Sequence, residues 1–178
     1  MRNRALQIFL AVILTTLGAC AAKSNRTELI GTTAPYTKFN LLDGSFLTVE
    51  ELRGKTAVIT FWATWCSESR KCMNRLNAFA DKFRGRSDYV FLTASIDKAD
   101  KFDAVKERVI YTKLDNMKHA FSGNDVYDEA YMSFHGDNLP YFVVLDPQGV
   151  IKYAGNDDDG VYEALGVDPG SVPSVKLP

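Results

Sequence analysis

The sequence feature that most constrains the fold is a largely apolar segment that leads directly into an amphipathic helix. Residues 57–63 (AVITFWA) are rich in β-favouring side chains, which is typical of a strand covered on both faces. From Ser67 to Phe83 apolar residues recur on one side of a helical wheel, and Gly85 ends the pattern. A buried strand followed at once by a helix predicts an α/β fold with parallel strands.

The other predicted elements continue this alternation of strands and helices. In chain order they are a hairpin within 29–52 turning at Asp43-Gly44, a strand at 89–96, a helix near 101–108, a helix near 125–132, strands at 141–145 and 150–153 joined by a turn, and a short helix near 161–165. The terminal hairpin adds an antiparallel strand. We therefore expect one domain with a central mixed sheet, flanking helices and an N-terminal hairpin extension.

Cys66 is the residue best placed for chemistry, because it stands where the strand ends and the helix begins. The unpaired N–H groups and the positive dipole end of a helix favour a thiolate over a thiol, and the thiolate is the nucleophile. A buried, inert cysteine is the alternative interpretation, and the position at a helix start argues against it. Glu68 is interpreted as a solvated acid that complements the helix dipole.

The N-terminus predicts export. Arg2 and Arg4 precede an uncharged, mostly apolar run, 5–19, which is shorter than the ~20 residues that a membrane-spanning helix needs. The run ends in Leu17-Gly18-Ala19-Cys20, which resembles the bacterial lipobox and implies lipidation of Cys20. An ordinary secretory signal with an incidental cysteine is the alternative.

Four segments follow from this interpretation: a signal peptide at 1–19, a lipidated tether at 20–28, the folded domain at 29–168 and a disordered tail at 169–178. The lipobox resemblance implies a location in the bacterial cell envelope, with the domain facing the periplasm and the membrane as a partner through the lipid on Cys20. Ala21 after the lipidated cysteine, rather than an aspartate, favours the outer membrane if the host is Gram-negative.

Two segments carry a resemblance to a known family. Residues 31–65 (GTTAPYTKFNLLDGSFLTVEELRGKTAVITFWATW) and 138–146 (NLPYFVVLD) resemble the TlpA/ResA-like branch of the thioredoxin superfamily. The resemblance implies a thioredoxin-like fold and thiol–disulfide exchange with protein or small-molecule thiols and disulfides. It further implies that Pro140 is cis and faces Cys66 as a substrate guide, with Leu139 and Trp65 beside the substrate and Trp65 shielding the thiol.

The chain departs from that family at the second motif cysteine. Its motif is Cys-Ser-Glu-Ser, so Ser69 occupies the position of the resolving cysteine, and Cys72 stands where the family commonly has a glutamate. Six residues of α-helix separate Cα atoms by roughly 10 Å, whereas a disulfide needs about 7 Å or less. Cys72 is therefore interpreted either as a small core residue or as an unconventional resolving thiol that requires local unwinding of the helix.

Three functions remain open from these residues. The first is a single-thiol oxidoreductase acting through Cys66, and the second is a peroxiredoxin-like antioxidant using a Cys66–Cys72 couple. The third is a thioredoxin-like binding module without redox turnover. Peroxide chemistry is disfavoured because peroxiredoxins carry Pro-x-x-x-Thr-x-x-Cys, whereas Ile59 takes the proline position and Thr64 lies only two residues before Cys66.

Composition excludes one class of partner and argues against cofactors. Lys and Arg number 21 against 22 Asp and Glu, and no basic stripe predicts nucleic-acid binding. A copper site of the kind found in relatives of this fold would combine two cysteines with a histidine near the cis-proline. The spacing of Cys66 and Cys72 is wrong for it, a lone histidine such as His135 is usually structural or solvated, and His119 receives no role. No metal and no cofactor are predicted.

Overall fold

A five-stranded mixed sheet forms the centre of the computed structural model, which describes residues 26–172. The strand order is β5-β4-β3-β6-β7. Their bounds are β3 Thr56–Trp62, β4 Tyr89–Ser95, β5 Lys118–Phe121, β6 Tyr141–Leu145 and β7 Ile151–Gly155. The pairs β3–β4 and β4–β5 are parallel, while β3–β6 and β6–β7 are antiparallel, so the predicted mixed sheet is confirmed.

β3 is the central strand, and its alternating side chains supply both faces of the core. Ile59 and Phe61 point into one hydrophobic cluster, and Val58 and Trp62 point into the other. Every residue of β3 after Thr56 is buried, because helices or loops cover both sides of the sheet. The predicted core position of Trp62 is confirmed, since the side chain is 1% exposed.

The helices flank this sheet. Their bounds are α1 Ser67–Ala80, α2 Phe102–Tyr111, α3 Glu129–Ser133 and α4 Asp158–Ala164, with a 3₁₀ turn at Asp81–Phe83 continuing α1. The buried face of α1 includes Met73, Leu76 and Phe79, which are part of the side predicted from the helical wheel. α4 begins three residues before the predicted start at 161, because the Asp157 carboxylate accepts the N–H of Asp159 and caps the first turn.

Residues 114–134 are the part of the domain that the pattern predicted least well. The predicted helix at 125–132 is a 3₁₀ turn at Asp125–Tyr127 followed by α3, and the Asp128 carboxylate separates them by capping α3 at the Tyr131 N–H. β5 was not predicted at all. It is a four-residue edge strand with exposed and buried residues mixed, too short to show a clear period.

The predicted N-terminal hairpin is present as β1 Lys38–Asn40 and β2 Phe46–Thr48, paired antiparallel. Its turn passes through Gly44 at φ 88°, where the absence of Cβ avoids strain. Phe39 is 3% exposed and packs with its ring centroid 6.4 Å from that of Phe61. The hairpin therefore covers one face of the sheet.

The described residues include short segments on either side of the predicted domain, 29–168. At the N-terminal side the Arg26 N–H donates to the Ala154 carbonyl at 2.8 Å. At the other end Pro169–Ser171 forms a 3₁₀ turn and Val172 packs against the core. The predicted signal peptide and Cys20 lie outside the described residues. Between residues 26 and 172 no helix combines the length and apolar character that crossing a bilayer requires.

Candidate thiol site

The loop between β3 and α1 is held by polar contacts before the chain reaches Cys66. The Thr64 N–H and hydroxyl donate to the two carboxylate oxygens of Asp97 at 2.8 and 2.7 Å. The Thr64 carbonyl accepts from the Arg70 guanidinium at 2.8 Å. Asp97 is 1% exposed and also accepts the Ser95 hydroxyl at 2.8 Å. All the hydrogen-bonding groups of Thr64 are thus occupied, which fixes the loop.

Asp97 is a site residue that the sequence analysis missed. A signal for it exists, because Asp97 lies two residues after the end of the buried strand β4, whose parallel pairing brings its end beside that of β3. A carboxylate at this edge of the sheet has the Thr64 loop as its neighbour.

Cys66 is the N-cap residue of α1, as the junction predicts. Its backbone is extended, with φ −88° and ψ 110°, and its sulfur accepts the Ser69 N–H at 3.4 Å. The thiol also donates to the Leu139 carbonyl at 3.6 Å, and the residue is half-buried. The sulfur therefore contacts one backbone donor and one backbone acceptor.

The Leu139–Pro140 loop lies opposite this sulfur. The Leu139–Pro140 peptide bond is cis, as the resemblance implies, and Pro140 is buried. The Asn156 side-chain amide donates to the carbonyls of Asn138 and Pro140 at 3.0 and 2.9 Å, which holds the loop from its far side. Asn156 was not predicted, and nothing in its sequence surroundings indicates this role. The structure therefore brings Cys66 and Leu139-Pro140 together across 73 residues of chain.

Trp65 and Glu68 flank the thiol on the protein surface. Trp65 is 63% exposed, so the predicted shield is mostly open to solvent and forms an apolar surface beside Cys66. Glu68 is also exposed and forms an ion pair with Lys71 at 2.7 Å across one turn of helix. This is the arrangement expected for a solvated acid in the first turn.

Ser69 presents an unusual polar group at the site. The residue is fully buried, at 0% exposure, and among residues 26–172 its hydroxyl has no hydrogen-bond partner. Only its backbone N–H is used, in the contact with Cys66. A buried hydroxyl without a partner costs free energy on folding. A serine at this position cannot form a disulfide with Cys66.

Cys72 lies in a different environment from Cys66. It is 8% exposed, and burial, assisted by the charge of Asp158, raises the pKa of the Cys72 thiol to about 11. The Arg75 guanidinium donates to the Cys72 sulfur at 3.7 Å and to the Asp158 carboxylate at 2.6 Å. Within residues 26–172 both cysteines are free thiols. The structure therefore places Cys72 in the core and does not bring it against Cys66.

The histidines lie apart from both cysteines. His135 is exposed, with Nδ1 3.8 Å from the Glu28 carboxylate. His119, on β5, forms hydrogen bonds of 2.8 Å through Nδ1 with the Thr93 hydroxyl and through Nε2 with the Leu114 carbonyl. Burial lowers the pKa of His119. In the described part of the chain, side chains that could share a metal ion come together at Asp157–Asp159, where Asp158 is paired with Arg75. Cys66, Cys72 and His135 form no such group there.

One family of known proteins matches most of the described domain. The AhpC/TSA family model matches residues 30–154, which is more than half of the chain.

Solved structures of similar fold include a thiol–disulfide oxidoreductase from Bacteroides fragilis, with a TM-score of 0.68, 19% identity and coverage of 76% of this chain and 98% of that one. The thioredoxin domain of a thiol–disulfide oxidoreductase from Bacteroides vulgatus aligns with a TM-score of 0.65 and 19% identity, and the alignment covers 77% of this chain and 95% of that one. A Chlorobium tepidum protein assigned as the thiol:disulfide interchange protein DsbE aligns with a TM-score of 0.63 and 18% identity, and the alignment covers 77% of this chain and 98% of that one. At these identities the likeness speaks for the fold alone. The chain thus has a thioredoxin-like fold and belongs to the AhpC/TSA family.

Proposed function

We propose that the protein is a thiol–disulfide oxidoreductase of the TlpA/ResA type that acts through Cys66 alone. The observation that carries this proposal is the environment of the Cys66 sulfur: half-buried, bonded to the Ser69 N–H at the start of α1, and opposite Leu139-Pro140. The only other thiol in residues 26–172, that of Cys72, is buried and protonated at neutral pH because its pKa is about 11. One of the two thiols is therefore equipped to react.

The proposed reaction is an exchange in two steps. The Cys66 thiolate attacks one sulfur of a substrate disulfide, forms a mixed disulfide with that half, and releases the other half as a thiolate, which takes up a proton. An external thiol then attacks the mixed disulfide in the same way and restores Cys66. The external thiol is required because the Ser69 hydroxyl cannot displace sulfur and Cys72 is held in the core.

The residues around Cys66 have distinct proposed roles. The Ser69 N–H and the start of α1 stabilise the thiolate that attacks and later leaves. Leu139 and Pro140 guide an extended substrate segment to the sulfur, and the exposed Trp65 contacts it. Peroxide reduction with a Cys66–Cys72 couple is the weaker candidate, because the Thr64 hydroxyl already donates to Asp97 and Cys72 would have to leave its contact with Arg75.

Intact-mass analysis of the full-length protein tests the proposal. After incubation with an excess of a small disulfide, we expect one adduct of a half-disulfide on Cys66, removed by an added thiol. Ser69→Cys provides the converse variant, because a second thiol at this position should displace the adduct without an added thiol and leave an internal disulfide with Cys66. A Cys66–Cys72 disulfide as the main product of the wild type, or an unmodified Cys66, would refute the single-thiol mechanism. Rapid consumption of hydrogen peroxide would favour the antioxidant function instead.

We further propose that the protein is anchored in the bacterial cell envelope through a lipid on Cys20. The support is the lipobox-like Leu17-Gly18-Ala19-Cys20, and a periplasmic location would expose Cys66 to disulfide-bearing proteins. Metabolic labelling with a fatty acid tests the anchor. Label should enter the wild-type protein and be lost in Cys20→Ser, whereas Cys72→Ser serves as the matched control and should remain labelled.

A further inference from the structure

A surface groove lies between α2 and the loop that precedes Cys66. Its volume is about 550 Å³, and its lining residues are Thr64, Ala104, Glu107, Arg108, Ile110 and Tyr111. Five of the six come from α2, in a pattern of three and four residues that places them along the helix side next to the loop. The sixth, Thr64, comes from the loop itself.

α2 leaves large apolar side chains in solvent at this groove. Ile110 is 70% exposed and Tyr111 is 75% exposed, whereas Val105 is the fully buried residue of the helix. A single exposed apolar residue needs no explanation, but here two large ones line the same groove, which is typical of a binding surface. Neither side chain contributes to the hydrophobic clusters of the sheet.

The groove borders the loop that leads to Cys66. Thr64 forms its wall and stands two residues before Cys66, so the wall begins within about 7 Å of the Cys66 backbone. Trp65, 63% exposed, lies between them in the chain. Because the Thr64 N–H, hydroxyl and carbonyl are all hydrogen-bonded within the protein, the loop is fixed and these polar groups already have partners.

The charge of the groove also limits its occupant. Arg108 and Glu107 contribute one charge of each sign, and neither forms an ion pair within residues 26–172. Because the two charges balance, the groove favours an uncharged side chain over a strongly charged one.

We propose that this groove receives an aliphatic or aromatic side chain of a protein substrate whose disulfide Cys66 attacks. The proposal rests on the thiol–disulfide function proposed above and adds a substrate class, namely disulfides in polypeptides with an apolar residue near the cysteine. An extended chain advances about 3.3–3.6 Å per residue, so that residue lies two to four positions from the substrate cysteine. Ile110 and Tyr111 are then specificity-determining residues for the reaction.

Peptide kinetics test the proposal. The probes are short peptides with one cysteine blocked as a mixed disulfide with nitrothiobenzoate. Each peptide carries a single phenylalanine, placed two, three or four residues before or after the cysteine, and the matched peptide has serine in its place. Attack by Cys66 releases coloured nitrothiobenzoate. For the full-length protein we expect the best phenylalanine peptide to react about tenfold faster than its serine partner. Burial of the phenylalanine side chain in the groove stabilises the complex of protein and peptide by enough free energy for such a difference.

The double variant Ile110→Ser/Tyr111→Ser should lose this preference and keep its rate with bis(2-hydroxyethyl) disulfide, a probe too small to reach the groove. Tyr36→Ser is the matched control, because Tyr36 is 66% exposed and does not line the groove, and it should keep the preference. Circular dichroism and a thermal melt confirm that each variant is folded.

The outcomes separate the two proposals. If bis(2-hydroxyethyl) disulfide does not react with wild-type Cys66, the proposed function fails. If it reacts and the double variant keeps the wild-type peptide preference, the groove does not bind substrate and this inference alone is wrong. A change from dimer to monomer on size exclusion in the double variant, with an unchanged preference, would assign the groove to a second copy of the chain instead.

Discussion

Cys66 and Cys72 lie six residues apart on the same helix, and their surroundings differ in every respect that controls thiol chemistry. The sulfur of Cys66 is half-buried, accepts a backbone N–H and faces the Leu139-Pro140 loop. The sulfur of Cys72 is turned into the core beside Arg75, and burial holds its pKa at about 11. The comparison shows that helix position and burial, rather than residue type, decide which thiol is available to react.

A second pair of residues repeats the contrast. Each cysteine has a buried aspartate in its neighbourhood, Asp97 near Cys66 and Asp158 near Cys72. Asp97 accepts hydrogen bonds from neutral donors in the Thr64 loop, and so orders the chain that leads to Cys66. Asp158 is paired with Arg75, and its negative charge raises the pKa of the Cys72 thiol. One aspartate positions a loop, whereas the other makes a thiolate less favourable.

The largest expected effect comes from replacing the two cysteines separately. Cys66→Ser should lower the rate of disulfide exchange by at least about a thousandfold, as loss of a nucleophile does, while Cys72→Ala should change it by less than about twofold. Release of nitrothiobenzoate from its symmetrical disulfide measures both rates on the folded proteins. Comparable losses in the two variants would show that Cys72 takes part in the reaction.

Asp97→Ala should be the most destabilising substitution at the site. It leaves the Thr64 N–H and hydroxyl and the Ser95 hydroxyl without their acceptor, and we expect a loss of about 2–4 kcal/mol in the free energy of unfolding. Urea unfolding measures the loss. Asp97→Asn is the milder comparison, because it keeps one acceptor oxygen, and it should lose less. Equal stability of Asp97→Ala and the wild type would contradict the role assigned to Asp97.

The raised pKa of Cys72 predicts a loss of stability at alkaline pH. The pKa of this thiol is ordinarily 9.0, and burial raises it to about 11 in the folded protein. The contribution of the protonated thiol to the free energy of unfolding is therefore fully present below pH 9. That contribution is lost as pH rises from 9 to 11 and amounts to roughly 2–3 kcal/mol at 1.36 kcal/mol per pKa unit.

Cys72→Ala should remove this dependence, since alanine does not titrate. Urea unfolding of the wild type and the variant at a series of pH values between 8 and 11 measures the difference between them. A stability difference that does not change across this range would contradict the burial of Cys72. Cys66→Ala, measured alongside, controls for the other thiol.

The smallest expected effect concerns Ser69, the buried residue between the two cysteines. Ser69→Ala removes a hydroxyl without a partner and keeps the backbone N–H that contacts Cys66, so we expect a gain of up to about 1 kcal/mol in unfolding free energy. The exchange rate should remain within about twofold. A marked loss of stability would indicate that the hydroxyl has a bound water or another partner.

Much of the fold follows from the sequence pattern. β3 and α1 were predicted to within a few residues, because a long apolar run and a helical stripe have clear periods. β5 was missed because four residues at a sheet edge are too few to show a period, and its pairing with β4 decides its conformation. The split between the turn at 125–127 and α3 depends on one capping contact of Asp128, which a periodic pattern does not register.

For the candidate site, the sequence by itself determined which thiol begins a helix and that a serine, rather than a second cysteine, stands three residues after it. These are local properties, because a strand-to-helix junction and its cap lie within a few residues of each other. Tertiary structure alone decided which groups surround the two sulfurs. The contacts from Cys66 to Leu139, from Thr64 to Asp97 and from Arg75 to Asp158 span 73, 33 and 83 residues. Contacts at such separations arise from the order of strands and the packing of helices, and that order exists only once the chain has folded.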